Sequence, residues 1–240
     1  MPRFLAGMEF SGVVRRAMRA VGIEAWSCDL LPSLDSSPFH IQGNVFDHLD
    51  NGWDGAIFHP ECTYLTNSAE WAYSDPDYAR YPGVGYHQKV KPGTLVGAAR
   101  RAARELALDD VRRLLGCGIP LVGLENPRGA IGTRIRPADQ IIQPNWFGDD
   151  ASKWTCLWLR GWPKLAIDPA LRVPGRMVEW PRGSGRMVER WANQTGGGQN
   201  KLTPSDDRWA DRSITYAGIA RAIAQQWSSV MLGEFKLAAE

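Results

Sequence analysis

A chain of 240 residues with 44% hydrophobic and 22% charged side chains can bury one sizeable core, or a core with a small appendage, and has the balance of a soluble globular protein. No apolar run reaches the length of a bilayer crossing, and the opening MPRFLAGMEFSG lacks the apolar segment and cleavage site of a signal peptide, so a cytoplasmic location is expected. A net charge of +2 is too small to demand a nucleic-acid partner, and the four cysteines, Cys28, Cys62, Cys117 and Cys156, form no CxxC pair, which excludes zinc-ribbon and thioredoxin-type chemistry and leaves free thiols as the expectation.

The first 60 residues read as alternating strands and helices. Arg3–Ala6 is a short strand. SGVVRRAMRAVG (11–22) is a helix, with Ser11 as cap, Val13, Val14, Ala17, Met18 and Val21 at helical spacing, and Gly22 as stop. Ala25–Cys28 is a second strand ending at Asp29. A loop rich in Pro and Ser (32–38) leads to HIQGNVFDHL, and GAIF (55–58) is a buried strand that stops at His59-Pro60. This alternation predicts an α/β fold with a mostly parallel sheet and crossover helices.

Residues 72–97 carry several Pro and Gly and read as a long binding loop or lid. GAARRAARELALDDVRRLLGCG (97–118) is the clearest helix, with apolar residues at 99, 103, 106, 107, 111, 114 and 115. IPLVGLENP is a buried strand ending on Glu125-Asn126-Pro127. DQIIQPNWFG and KWTCLWLRG read as two more strands. From 168 to 212 helical periodicity vanishes. Arg172, Arg176, Arg182, Arg186 and Arg190 face only Glu179 and Glu189, and seven of the eleven tryptophans lie between 146 and 209. Basic and aromatic residues interleaved in this way suit phosphate contact and base stacking, although tryptophan as core filler and arginine as solvated surface account for the same composition. GRMVE occurs at 175–179 and again at 185–189, as two arms of a hairpin or a local duplication. The Gly triplet in WANQTGGGQNK reads as a flexible loop, and 213–231 as an amphipathic helix.

Two strand ends carry chemistry. In an open α/β sheet ligands bind beyond the carboxyl ends of the strands, so Pro60-Glu61-Cys62 and Glu125-Asn126-Pro127 should face one cleft. They would supply a nucleophile and an acid there; the ligand count is too low for a metal. Cys28, Cys117 and Cys156 are expected in the core. The turn Gly7-Met8-Glu9-Phe10-Ser11-Gly12 lets a cofactor approach the backbone. Asp29, seventeen residues after Gly12, stands where a carboxylate binds ribose hydroxyls. His59 reads as a turn residue that could also sit near Cys62 and lower its pKa.

These motifs together resemble one family, the DNA cytosine-C5 methyltransferases, in the compact form found among bacteriophage proteins. The resemblance runs over nearly the whole chain: Glu9-Phe10-Ser11-Gly12, Cys28-Asp29-Leu30-Leu31-Pro32, His59 to Ser68 (HPECTYLTNS), Glu125-Asn126-Pro127 and Arg212 to Ala220 (RSITYAGIA). It implies a Rossmann-like mostly parallel sheet with helices on both faces plus a small irregular recognition region. The division would be a catalytic core at 1–167, a recognition region at 168–212 and a C-terminal helix at 213–240. It implies S-adenosyl-L-methionine as cofactor, held by Gly7, Glu9, Phe10, Ser11, Gly12, Asp29, Asn44 and Pro60, with Asn44 reaching the adenine. Cys62 would add to C6 of cytosine, Glu125 would hold the base edge, and the methyl group would pass to C5. Double-stranded DNA would be the partner, met by Asn67, Arg134, Arg136, Arg176, Arg186, Gln199 and Lys201. A short target, evasion of restriction and, for a viral protein, the host cytoplasm would follow.

Some positions depart from the wider family. Thr63 stands where Gln usually follows the cysteine, and Pro127 where Val follows Glu-Asn. The first turn lacks Phe-x-Gly-x-Gly. The Arg-x-Arg strand that steadies the base has two candidates: Arg134 with Arg136, which have the spacing, and Lys153 with Thr155, which have the better strand context and are favoured. The Asp/Asn-Pro-Pro-aromatic motif of exocyclic amino-methylation is replaced by His-Pro-Glu-Cys. Two alternatives keep parts of this reading: a pyrimidine C5-modifying enzyme acting on nucleotides or RNA, and a non-catalytic DNA-binding relative.

Overall fold

The computed structural model describes residues 1–202 and 213–233; Trp209 and Arg212 lie outside the described residues. Seven strands form one sheet: β1 (Arg3–Gly7), β2 (Glu24–Asp29), β3 (His40–Gln42), β4 (Gly55–Phe58), β5 (Leu121–Pro127), β6 (Gln140–Ile142) and β7 (Thr155–Arg160). Their order is β3-β2-β1-β4-β5-β7-β6. β1 to β5 run parallel, while β7 is antiparallel to both β5 and β6. This is a Rossmann-like α/β sheet. The chain steps outward from β1 through β2 to β3, then returns to the other side of β1 as β4. The switch point, and with it the crevice for a ligand, lies beyond the carboxyl ends of β1 and β4.

Among the described residues, four helices flank the sheet: α1 (Val13–Ala20), α2 (Gly97–Gly116), α3 (Ala130–Arg134) and α4 (Ala217–Met231). Alternate strand residues sort the interior into two cores, because successive side chains point to opposite faces. Phe4, Ala6, Ile57, Ile142 and Leu157 pack with α1 and α4, and Leu5, Ala56, Phe58, Val122 and Leu124 pack with Leu108, Val111 and Leu114 of α2. A strand buried on both faces reads as an unbroken apolar run, which is why GAIF carries no polar residue. Trp162 and Trp227 stack at 4.5 Å with their rings 9° apart. Gly55 and Gly123 make room for these indoles: a Cβ would lie 2.5 Å from Trp162 at the first and 2.9 Å from Trp227 at the second.

Several sequence expectations are corrected. α1 spans Val13–Ala20 rather than 11–22, and its N-cap is Gly12 in the left-handed region at φ 66°, without a side-chain cap bond. In α2, Ala99 and Leu106 are exposed, while Arg100 is buried. The C-terminal helix starts at Ala217. The PNWF part of DQIIQPNWFG is a 3-10 turn and not strand. Cys28 and Cys156 are buried, as expected of core residues, but Cys117 is only half-buried.

The repeated GRMVE segments form a hairpin, β8 (Arg176–Glu179) with β9 (Met187–Arg190), in which Val178 faces Val188. The Gly triplet beside it is packed: it folds into a tight turn closed by Gly198 N–H to Thr195 O at 2.9 Å and Thr195 N–H to Gln199 O at 2.8 Å. A Cβ on Gly197 would sit 3.1 Å from the Trp180 ring. The glycines are there for close approach to the hairpin.

Candidate active site

β1 ends at Gly7, beside Phe58 and Cys28 on the neighbouring strands. A Cβ on Gly7 would collide with Phe58 and Val45. Met8 then turns the chain at φ 59°, a conformation costly for a side chain-bearing residue and concentrated at functional turns. The turn buries Glu9, which is 4% exposed. Its Oε1 accepts the Val14 N–H at 2.9 Å and the Ser11 hydroxyl at 3.0 Å, so Glu9 and Ser11 together serve the first turn of α1. The other oxygen, Oε2, is buried without a partner. Phe10 is buried and its carbonyl accepts the Leu34 N–H at 3.0 Å.

The next strand ends on Asp29, whose Oδ1 accepts the Leu31 N–H at 2.9 Å. Burial pushes its carboxyl above the ordinary value, against the opposing pull of backbone N–H groups and nearby His40 and His59. Asn44, two residues past β3, is exposed and its side-chain oxygen caps the turn at Phe46, 3.1 Å away. Arg15, 1% exposed, reaches from α1 under this edge to Ser27 at 2.7 Å and to Asp35 at 2.6 Å.

On the far side of the switch point, β4 passes into His59-Pro60-Glu61-Cys62. The His59 N–H donates to Gly7 O at 3.0 Å. Asn126 of the neighbouring β5 is 1% exposed and donates its amide to Pro60 O at 2.8 Å. The two motifs are thus tied to each other. Cys62 lies at the tip of a turn, with its carbonyl accepting Leu65 N–H at 3.1 Å and Thr66 N–H at 3.0 Å, and its thiol side exposed. Behind the turn Leu65 O accepts the Ala130 N–H at 2.7 Å. Gly129 permits this approach: a Cβ there would lie 1.8 Å from Leu65 O.

Glu125 sits between an imidazole and an ammonium group. His59 Nδ1 is 3.2 Å from its Oε2, and Lys153 Nζ is 3.8 Å from its Oε1. Burial would push the carboxyl up, but the Lys153 charge and the His59 hydrogen bond outweigh it and hold the pKa down to about 2. Lys153 lies two residues before β7 rather than on the strand as its sequence context suggested, and reaches this place because β7 is antiparallel: Thr155, its first residue, pairs with Pro127 at the carboxyl end of β5. Arg134 and Arg136 are not brought to the cluster; they pair with Glu105 and Asp139 at 2.7 Å each.

The remaining thiols differ from Cys62 in setting. Burial, then the charges of Asp29 and Asp47, push the Cys28 thiol up to about 11, and burial foremost also raises Cys156. Both stay protonated at neutral pH. Cys62 is the exposed thiol at the cleft.

His59, Asn126 and Arg15 were not singled out as site residues by sequence. His59 had one signal, its place between a buried strand and Pro60. Nothing local marks Arg15, because its partner lies twenty residues away.

Among the expected nucleic-acid contacts, Asn67, Arg176, Arg186, Gln199 and Lys201 are all exposed. Arg176 braces the hairpin, donating to Trp191 O at 3.0 Å and Gln194 O at 2.7 Å. Arg182 and Arg186 lie at the hairpin tip and form no ion pair among the described residues. Just past the hairpin, Asn193 bonds the segment that leads into β7: its side chain accepts from Ser152 N and donates to Ser152 O at 2.9 Å each, one residue from Lys153.

The residues fit S-adenosylmethionine on the chain's own terms. The orphaned, buried Glu9 Oε2 is an acceptor that needs a donor, as the ammonium of an amino acid would be, and Asp29 one strand away offers a carboxylate suited to ribose hydroxyls. Among the described residues no group of three or more His, Cys, Asp or Glu is arranged to hold a metal ion.

No family model and no curated protein matches the chain. Among solved structures it is similar to a prophage-encoded E. coli protein described as a DNA modification methyltransferase, at 11% identity and TM-score 0.35 over 66% of this chain and 46% of that one. It is similar to the S. pombe Dnmt2 methyltransferase, at 14% identity and TM-score 0.35 over 67% and 49%. A DNMT2 variant of Spodoptera frugiperda is matched at 12% identity and TM-score 0.38 over 70% and 54%. The chain spans about half the length of these structures.

Proposed function

We propose that this chain transfers a methyl group from S-adenosylmethionine to carbon 5 of cytosine in DNA, with Cys62 as covalent nucleophile. The observation that carries this reading is the joined pair of strand ends: an exposed thiol turn locked by Asn126 to the strand that presents Glu125, itself clamped by His59 and Lys153. Beyond the adjacent ends of β1 and β2 stand Glu9 and Asp29, one with an orphaned oxygen, on the side where a cofactor would lie.

Carbon 5 of cytosine is a weak nucleophile. Addition of the Cys62 sulfur to C6 moves the electron pair of the C5–C6 double bond onto C5, and covalent attack of this kind splits one hard step into two easier ones. The bound sulfonium supplies an electrophilic methyl group. Loss of the C5 proton then returns the electron pair to the ring and breaks the sulfur–C6 bond. Glu125 is ionised at neutral pH, with its pKa near 2, so both oxygens accept. It would take hydrogen bonds from the exocyclic amine and from a protonated N3. Uracil and thymine present an acceptor where cytosine presents that amine, so the same carboxylate rejects them. Lys153 offsets charge at the base edge. Asn126 and buried Pro60 fix the height of the Cys62 turn. The base must leave the helix stack to reach this cleft.

The region outside the sheet is small, so few base contacts are available and we expect a target of roughly two to four base pairs. A short target suits broad marking of a genome against restriction. Duplex DNA incubated with methyl-labelled cofactor tests the reading: label on cytosine C5, absent in Cys62→Ala, is the expected result. Label that survives in Cys62→Ala removes the thiol from the mechanism. Label on RNA or dCMP, but not on DNA, moves the substrate.

A further inference from the structure

Beneath the Cys62 turn lies a buried cation carried by α2. Arg100, in the first turn of α2, is 5% exposed. Its guanidinium donates to Thr63 O at 3.2 Å, one residue past the thiol, and to Leu95 O at 3.3 Å. It lies 4.7 Å from the Tyr73 ring centre and 5.4 Å from that of Tyr64. Its Nε is buried without a hydrogen-bond partner.

A buried guanidinium is ordinarily paired with a carboxylate. Arg100 has no carboxylate within 4 Å among the described residues; Glu70, whose pKa the Arg104 and Arg100 charges both lower, is bound by Arg104 at 2.9 Å. The first turn of α2 carries no acidic residue of its own; Asp75, whose Oδ1 lies beside Gly97 at that helix end, is paired with Arg101 at 3.0 Å. An arginine, a feature that lowers thiol pKa, is therefore bonded to the loop that holds the exposed cysteine. We propose that Arg100 is a positioning residue for Cys62: it anchors the turn through Thr63 O, and its charge favours the thiolate. This rests on the reading of Cys62 as nucleophile.

Other charged groups gather around the turn. Glu61 on the turn itself opposes the thiolate. His59 and Lys153 are engaged by Glu125, and Arg104 by Glu70. Arg100 and Arg104 both bond carbonyls of the Cys62 turn, Thr63 O and Tyr64 O, and Arg100 is the one of the two without a carboxylate within 4 Å among the described residues.

The test is the pH dependence of alkylation of Cys62 by iodoacetamide in the full chain. Peptide mass mapping separates Cys62 from half-buried Cys117. The native chain is expected to show a midpoint below the ordinary thiol value of about 8.5. Arg100→Gln should raise that midpoint by about one pH unit. Thiolate at pH 6 then falls about tenfold while intrinsic nucleophilicity rises, for a net slowing of about threefold. Arg100→Lys, which keeps the charge, should hold the native midpoint. A native midpoint at or above 8.5 overturns the proposal without any variant. So does an unchanged midpoint in Arg100→Gln with a native circular-dichroism spectrum, or an equal rise in Arg100→Lys. Because no methyl transfer is measured, a failed DNA-labelling experiment with a low Cys62 midpoint would remove the proposed reaction and leave this assignment standing.

Discussion

Glu125 offers a quantitative test, because its charge is held by named partners. Its carboxyl titrates near 2 in the folded chain, against an ordinary 4.5, and its side chain is 13% exposed. At about 1.4 kcal/mol per pH unit, this difference contributes about 3 kcal/mol to stability. The sign follows from proton binding. Below 4.5 the unfolded chain takes up the proton and the folded chain does not, so acid favours unfolding. The contribution is complete above pH 4.5 and is lost as pH falls through 4.5 toward 2. Glu125→Gln removes the titration while preserving shape. Urea unfolding of both chains at intervals between pH 7 and 2.5 isolates Glu125, because every other acid, including Asp35, cancels in the difference. The stability gap between native chain and variant should stay flat from pH 7 to 5, then shift against the native chain by about 2 to 3 kcal/mol by pH 2.5. A second variant, Lys153→Met, removes the foremost favourable charge and should confine the loss to a narrower range just below 4.5. Parallel pH curves for the native chain and Glu125→Gln would refute the triad as described.

Three further outcomes are expected. Asp35→Asn strips the carboxylate from buried Arg15 and should cost about 2 to 3 kcal/mol at pH 7 in urea unfolding, less than for a fully buried pair because Asp35 is 29% exposed; a loss under about 0.5 kcal/mol would mean that the hydroxyls of Ser27 and Ser33, which accept from Arg15 at 2.7 and 3.4 Å, suffice. Gly129→Ala forces a methyl group onto the Leu65 carbonyl and should destabilise by about 2 kcal/mol or more, with Cys62 alkylation altered, whereas Gly116→Ala, where a Cβ meets nothing within 4 Å, should be neutral or stabilising by about 0.5 kcal/mol. Arg182→Gln with Arg186→Gln should weaken duplex binding across all sequences and lower the salt slope by about one for each phosphate left without its arginine; equal slopes in fluorescence anisotropy would remove the hairpin tip from the interface.

How much was legible follows from the range over which each signal acts. The sheet was readable because its interior strands are buried on both faces, and burial on both faces writes continuous apolar runs such as GAIF and LVGL. The strand ends were readable for a related reason: Pro60 and Pro127 stop the pairing, and the polar residues beside them must face the crevice. The Gly triplet at 196–198 reads as a flexible loop because composition does not distinguish a glycine chosen for freedom from one chosen for contact. Only the position of Trp180, sixteen residues earlier, settles that. Arg15 and Arg100 were hidden more deeply. Each sits on a helix where arginine is an ordinary surface residue, and each is buried because of acceptors on remote segments: Ser27 and Asp35 for one, Thr63 O for the other. Both acceptors given for Arg100, Thr63 O and Leu95 O, are backbone carbonyls, which leave no trace in residue identity. Lys153 shows the intermediate case. Strand context favoured it over Arg134 and Arg136, and the antiparallel β7 carries it to Glu125, yet periodicity says nothing about strand direction. The charges that set the state of Glu125 and, as proposed, of Cys62 come from segments that topology alone brings together, so the chemistry of this cleft is written in the fold more than in its motifs.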